Sequence, residues 1–113
     1  MMVYRPIRYE QIMRAAESYD VRARRMFGGM GVYTGERMFA FLIGEDIGFK
    51  LSPDDLEAAM QLKGAGPMRP DPDMEPLREY VKMPREVLDN MEQFMHWMEK
   101  SATYVRQKAS RAA

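Results

Sequence analysis

Residues 24–33 read RRMFGGMGVY, an arginine pair followed by three glycines that separate two short apolar runs. Glycine-rich turns bind phosphate when a helix begins directly after them, because its free N–H groups and dipole then face the anion. Here the continuation, VYTGERMFAFLI over residues 32–43, has the pattern of a strand, a turn and a second strand. The stretch therefore argues against nucleotide binding and predicts a tight turn or a bulge, where glycine tolerates positive φ and close backbone approach.

The region around this stretch predicts an antiparallel meander. The pattern indicates four strands, over residues 22–27, 30–33, 37–43 and 47–51. Connections this short require antiparallel pairing. Residues 38–43 are apolar without interruption, so the third strand is predicted to be central and covered on both faces. A fifth strand is expected over residues 77–83, where Pro84 ends it.

Three helices are predicted to pack on this sheet. The first spans residues 6–18, and the second begins after a capping Ser52 and ends near Gly64. After a short turn over residues 84–88, the last helix is predicted to start with Asp89 and Glu92 as its capping pair. The fold class is therefore α+β. An antiparallel β-meander of about five strands is packed with an N-terminal, a middle and a long C-terminal helix, in one domain over residues 1–113.

Residues 64–76 carry four prolines and are predicted to lack regular structure, as a lid or as a surface excursion. A small ligand or a cation bound by this loop is one functional alternative. Asp71 and Asp73 lie close together there, but two carboxylates fall short of the ligand set of a calcium or magnesium loop. No metal site is therefore expected.

Composition excludes several classes of site. The chain has no cysteine, which rules out disulfides, thiolate catalysis and zinc–thiolate sites. It has no apolar run approaching the roughly 20 residues of a membrane span, and its N-terminus lacks a signal-peptide pattern. A cytoplasmic protein without a membrane partner is expected. Methionine is abundant, with 13 residues that fit a core or an adaptable binding groove.

The formal net charge is zero, but its distribution is uneven. Beyond Glu99 the only charged side chains are basic, at Lys100, Arg106, Lys108 and Arg111. Such a helix end complements the macrodipole and would also suit a nucleic acid, although a balanced chain is a poor candidate for nonspecific DNA binding. Along the first strand, Arg22 and Arg24 should share one face and Arg25 the other. An ion pair across the sheet is favoured for one of them over an anion site.

No catalytic set is visible in the sequence. His96 is the only histidine, and its neighbours on the helix are polar, so it is predicted to be exposed. Among the serines, Ser52 already has a capping role, and none lies in the context of a nucleophile elbow. The chain is therefore expected not to be an enzyme and to use no cofactor.

Residues 24–33 resemble the Arg-x-Met-Phe-Gly-Gly-x-Gly-hydrophobic-aromatic signature of the TfoX (Sxy) N-terminal domain family. The resemblance continues through residues 38–40, 49–51 and 80–84 and covers the chain from about Met13 to Ala109. The positions that carry it are Arg24, Met26, Phe27, Gly28, Gly29, Gly31, Lys50, Tyr80 and Pro84.

The resemblance implies a small α+β domain with a curved antiparallel sheet, similar to secretion-chaperone folds. Founding members of the family are bacterial regulators of natural competence that act with the cyclic-AMP receptor protein at promoters and carry a C-terminal helical domain. This chain would be a stand-alone member lacking that domain. The family offers no catalytic residues. A non-enzymatic regulatory or protein-interaction domain is therefore expected, with a protein partner or a second copy in a homodimer. The alternative is a nucleic-acid-associated protein that uses the basic glycine turn and the C-terminal helix.

Overall fold

The computed structural model describes residues 6–112, and the side chains of residues 7–108. The elements in chain order are α1 (Pro6–Ala15), a 3-10 turn (Glu17–Tyr19), β1 (Val21–Met26), β2 (Gly29–Thr34), β3 (Arg37–Ile43), β4 (Asp46–Lys50), α2 (Pro53–Met60), β5 (Gly66–Pro67), β6 (Tyr80–Lys82), α3 (Arg85–Leu88) and α4 (Met91–Ala112). The predicted α+β class is confirmed, with an antiparallel sheet, an N-terminal helix, a middle helix and a long C-terminal helix.

Within residues 6–112, the sheet has six strands in the order β1-β2-β3-β4-β6-β5, and neighbouring strands pair antiparallel. The predicted meander of the first four strands is confirmed, and no predicted strand end differs from the observed one by more than one residue. Two expectations were wrong. The proline loop contains a two-residue strand, β5, and the strand predicted over residues 77–83 is regular only at Tyr80–Lys82.

A bulge in β3 sends apolar side chains to both faces of the sheet. Val32 pairs with Ala40 while Tyr33 pairs with Met38, so Phe39 is the extra residue. Phe39 and Ala40 therefore both belong to the main core beneath the helices. Met38 and its strand neighbours Phe41 and Ile43 belong to a second cluster on the opposite face. The prediction that this strand is covered on both faces is confirmed.

Two hydroxyl groups satisfy the carbonyl groups at the bulge from opposite sides. The Ser101 hydroxyl of α4 donates a hydrogen bond of 2.7 Å to the Phe39 carbonyl. On the other face, the Tyr80 hydroxyl donates a 3.0 Å hydrogen bond to the Met38 carbonyl. Burial raises the pKa of Tyr80, which keeps its hydroxyl protonated as a donor. These bonds fix α4 and β6 to the centre of the sheet, where an unpaired buried carbonyl would be costly.

The helices cover one face of the sheet. From α4, Phe94, Met98, Ala102 and Val105 enter the core at helical spacing, and the Phe94 ring lies 5.7 Å from that of Phe49. The predicted cap of α2 is confirmed, because the Asp55 N–H donates to the Ser52 hydroxyl oxygen at 3.3 Å.

The predicted cap of α4 was wrong by one residue. Asn90 accepts a 3.0 Å hydrogen bond from the Gln93 N–H, so Asn90 rather than Asp89 caps the helix. Asp89 instead ends α3, and its carboxylate pairs with the buried Arg8 at 3.2 Å. The first helix is also shorter than expected, since α1 stops at Ala15 and gives way to the 3-10 turn.

The proline loop covers part of the second face and is not a free surface excursion. Met68 is 1% exposed and packs in the second cluster with Phe41 and Tyr80. The Leu77 N–H donates to the Met68 carbonyl at 2.8 Å, which closes the loop at its base. Within residues 6–112, no helix combines the length and the apolar character needed to cross a membrane.

Candidate interaction edge of the sheet

The glycine stretch forms the turn between β1 and β2. Met26 pairs with Gly29, which leaves Phe27 and Gly28 as a two-residue loop. Both loop residues have positive φ, 53° and 78°, as a type I′ hairpin turn requires. The predicted turn is therefore confirmed. Its tip presents Phe27, whose side chain is 52% exposed.

Gly29 is required by close approach of the neighbouring strand. A Cβ atom at this position would lie 2.2 Å from the Leu42 carbonyl oxygen and 3.0 Å from the Phe41 ring. At Gly29, β2 therefore approaches β3 too closely for a side chain to fit. The next glycine, Gly31, lies beneath the sulfur atoms of Met26 and Met38, which close over the second face of the sheet.

The structure divides the remaining signature residues among separate places. Arg24 is exposed on β1, opposite Gly31, while Met26 packs in the second cluster. Tyr80 of β6 donates its hydroxyl hydrogen bond to the bulge in β3, and Pro84 is the buried N-cap of α3. The signature therefore marks structural requirements of the fold more than one continuous site.

Among residues 6–112, β1 is one edge of the sheet, and part of its backbone has no strand partner there. In a hairpin with a two-residue loop, the closing pair is hydrogen-bonded and the pairs then alternate. From the register, Met26, Arg24 and Arg22 direct their N–H and C=O groups at β2. The same groups of Val21, Ala23 and Arg25 consequently point away from the sheet.

The side chains of β1 differ between its two faces. Val21 and Ala23 are half-buried against the main core beneath the helices. Arg22 and Arg24 lie on the opposite face and are exposed, as the alternation predicted. Arg25 is exposed on the helix side. We call the free backbone of β1, the three arginines and Phe27 the arginine edge.

The arginines of this edge differ in their partners. Arg22 donates to the Gly35 carbonyl and pairs with the Glu36 carboxylate, each at 3.2 Å, which confirms the expected ion pair. Both side chains are largely exposed, so this pair contributes little stability. Within the described part of the chain, Arg24 and Arg25 form no ion pair. They are consequently available for an external carboxylate.

Arg106 of α4 lies at the other end of β1 from the turn. The Arg106 guanidinium is 5.8 Å from the ring centroid of Tyr19, which precedes the start of β1. Arg24 and Arg25 lie near the turn, at the opposite end of a six-residue strand that spans about 20 Å. The turn arginines and Arg106 are therefore separate and do not form one continuous basic surface.

Lys50 and Lys108 belong to a cluster around Glu79 that sequence patterns gave no reason to expect. Glu79 has a φ of 69° and accepts hydrogen bonds from the Tyr104 hydroxyl at 2.9 Å and from Lys108 at 3.3 Å. The Lys50 ammonium lies 3.8 Å from the same carboxylate. The cluster joins the C-terminal part of α4 to the segment between the proline loop and β6.

The charges of this cluster perturb one another. Burial would raise the pKa of Glu79, but the hydrogen bonds from Tyr104 and Lys108 outweigh it and lower that pKa. For Lys50, burial and the neighbouring charge of Lys108 lower the pKa, against the attraction of Glu79. The Glu79 carboxylate is already shared among these donors. The cluster is therefore interpreted as a structural link between elements.

A polar groove of about 340 Å³ lies between α2 and α4, and its lining includes Ser52, Asp55 and His96. These residue types could suggest a catalytic triad. However, the Ser52 hydroxyl oxygen is occupied as a helix cap, and the Asp55 carboxylate pairs with Lys100 at 3.5 Å. His96 is exposed, as predicted, and its ring lies against Trp97. The groove therefore lacks an assembled nucleophile and base.

Of the two aspartates in the proline loop, Asp71 uses its carboxylate within the loop. The Asp71 carboxylate accepts a 2.9 Å hydrogen bond from the Asp73 N–H. Within residues 6–112, no three His, Asp or Glu side chains group closely enough to hold a metal ion. The structure thus supplies no observation that favours a cation at this loop.

Comparison with known families agrees with this arrangement. A family model described as the TfoX N-terminal domain matches residues 13–104, from within α1 to near the cluster at Glu79. None of the curated proteins matches the chain. The matched region contains the whole sheet, the glycine turn and all the signature positions. With most of its length covered by this match, the chain belongs to the TfoX N-terminal domain family.

Proposed function

We propose that this chain is a non-enzymatic, regulatory protein-interaction domain that binds a protein partner through the arginine edge. The observation that carries the proposal is a strand edge that combines an exposed aromatic residue with two arginines that form no ion pair among the described residues. Phe and Arg are enriched in protein interfaces, and Phe27 lies exposed at the tip of a type I′ hairpin.

The arrangement of polar side chains supports a non-catalytic role. Enzymes need a nucleophile or base within hydrogen-bond reach of the group it activates. In the groove between α2 and α4, Ser52 and Asp55 are instead engaged with a helix end and with Lys100. A binding function requires none of these groups.

Nucleic-acid binding is less well supported by the charge distribution. Phosphate neutralisation needs several cations along one surface. The turn arginines are separated from Arg106 by the length of β1, and Lys108 contacts Glu79 at 3.3 Å. A protein partner with a small acidic surface fits the two turn arginines better than a duplex does.

Affinity capture with matched variants tests the proposal. The wild-type chain and the exposed-charge control Lys63→Glu should recover the same partner from the source cell, whereas the double variant Arg24→Glu, Arg25→Glu should not. Binding of the purified partner to each protein then measures the difference directly. Equal recovery by the wild type and the double variant would contradict the proposal. Native mass spectrometry addresses the homodimer, and titration with duplex and single-stranded DNA at several salt concentrations addresses the nucleic-acid alternative.

A further inference from the structure

We infer that the arginine edge binds an extended acidic segment of its partner as a seventh strand, antiparallel to β1. This inference rests on the interaction role proposed above and specifies the chemistry of the partner. Strand addition supplies main-chain hydrogen bonds for affinity and alternating side-chain contacts for selectivity.

The backbone of β1 offers the hydrogen bonds. The outward N–H and C=O groups of Val21, Ala23 and Arg25 recur at every second residue, with the spacing of an antiparallel ladder. Every other strand of the sheet pairs antiparallel with its neighbour, so an added antiparallel strand continues the existing pattern.

The side chains of β1 specify which residues the added strand carries. On the helix side, Val21 and Ala23 are half-buried and leave apolar surface at the margin of the main core. On the other face, Arg24 has no ion-pair partner among the described residues. Residues directly opposite in an antiparallel pair share a face. The bound segment therefore alternates apolar residues toward the helices with carboxylates beside Arg22 and Arg24.

Charge selects this partner over a second copy of the chain. When two β1 strands pair antiparallel through their outward groups, residues of the same parity lie opposite each other. With Ala23 opposite Ala23, Arg22 faces Arg24 twice. Shifting the register by two residues in either direction places Arg22 opposite Arg22, or Arg24 opposite Arg24. Like charges directly opposite destabilise a strand pair, whereas an acidic strand gains from the same positions.

A synthetic peptide tests the inference without identifying the natural partner. The probe is acetyl-Glu-Val-Glu-Val-Glu-Val-Glu-amide, and the readout is amide hydrogen exchange followed by NMR. Peptide binding should slow exchange at the outward amides of Val21, Ala23 and Arg25. The amides of Arg22, Arg24 and Met26 already bond to β2 and should show no comparable change.

N-methylated peptides provide a control that leaves the protein unaltered. In the antiparallel arrangement, the valines lie opposite Val21, Ala23 and Arg25, and their N–H groups point at β1. N-methylation of the valines should abolish binding, whereas N-methylation of the glutamates should preserve it. Equal binding by the two peptides would overturn strand addition.

Charge variants test the acidic component. Arg24→Glu should weaken peptide binding about fivefold or more, because it reverses the charge beside one carboxylate and diagonal to others. The exposed control Lys63→Glu should change binding by less than about twofold. Exposed substitutions of this kind leave folding intact, which an unchanged urea midpoint verifies.

Four further results would overturn the inference: no binding at about 1 mM peptide, exchange protection confined to other elements, a wild-type dimer whose interface is β1, or DNA binding that the peptide cannot displace. If the peptide fails while affinity capture still depends on Arg24 and Arg25, strand addition is wrong and the interaction role stands. If peptide binding succeeds and capture shows no dependence on these arginines, the proposed function is wrong.

Discussion

The two edge strands of the sheet, β5 and β1, differ in how far they can pair with another chain. β5 has only two residues, one of them Pro67, which has no N–H to offer. The loop that continues from it buries Met68 against the second face. β1 has six residues, regular pairing with β2 and an exposed aromatic at its end.

This difference teaches what each edge excludes. Short strands and proline prevent pairing with any other chain, whereas positive charge prevents pairing only with strands that are not acidic. β5 is therefore a poor template for an added strand. On β1, the arginines disfavour pairing with a second copy of the same edge, and the same residues define the partner proposed above.

The largest effect is expected from uncovering the β5 edge. Met68→Ala should reduce the free energy of unfolding by about 3 kcal/mol, because it leaves a cavity beside Phe41 and Tyr80. Urea unfolding followed by circular dichroism measures the change. The matched control is Met74→Ala in the same loop, where the side chain is 38% exposed and the cost should stay below about 1 kcal/mol. Similar costs for the two variants would contradict the assignment of Met68 as the cover of this edge.

A smaller loss is expected from a methyl group at the base of the β1 edge. Gly29→Ala should cost about 2 kcal/mol, since its Cβ would meet the Leu42 carbonyl oxygen and force β2 away from β3. At the β5 edge, a Cβ on Gly66 meets nothing within 4 Å, so Gly66→Ala should stay within about 1 kcal/mol of the wild type. Differential scanning calorimetry compares the two, and a Gly66 variant as unstable as the Gly29 variant would refute the argument.

The smallest effect concerns the cluster around Glu79, which joins α4 to the segment before β6. The folded-state pKa of Glu79 is lowered, so its contribution to stability is present above the unfolded pKa near 4.5 and is lost as pH falls through the lower folded value. Glu79→Gln should therefore cost less than about 1 kcal/mol at pH 7 and reduce the loss of stability on acidification. Urea midpoints at several pH values measure this, with the exposed Glu75→Gln as control. An unchanged acid dependence would show that Glu79 is not the linked group.

Local sequence signals predicted the features that depend on neighbouring residues. The glycine stretch specified a turn because Gly28 tolerates a φ of 78° and no helix signal follows it. Ser52 likewise marked the start of a helix, because its side chain can cap the helix N-terminus locally. The alternation of β1 also placed Arg22 and Arg24 on one face without any knowledge of the sheet.

Features that depend on distant contacts were missed for a physical reason. Asp89 and Asn90 are both good capping residues, and the end of α3 decided which of them caps α4. The composition of the proline loop gave no sign that Met68 would be buried or that two residues would join the sheet. The cluster at Glu79 joins residues up to 58 positions apart, from Lys50 to Lys108, so no local pattern marks it.

The sequence by itself determined the fold class, the meander and the family, because turn glycines, helix caps and hydrophobic alternation act between residues near in the chain. Only the tertiary structure decided which strand lies at an edge, which arginines have no ion-pair partner within residues 6–112, and which loop packs at the other edge. Those properties depend on the order of strands in the sheet, which is set by the packing of residues far apart in sequence. The glycine stretch of residues 24–33 therefore indicated the family, and the position of its arginines at the edge of the sheet supports the proposed interaction.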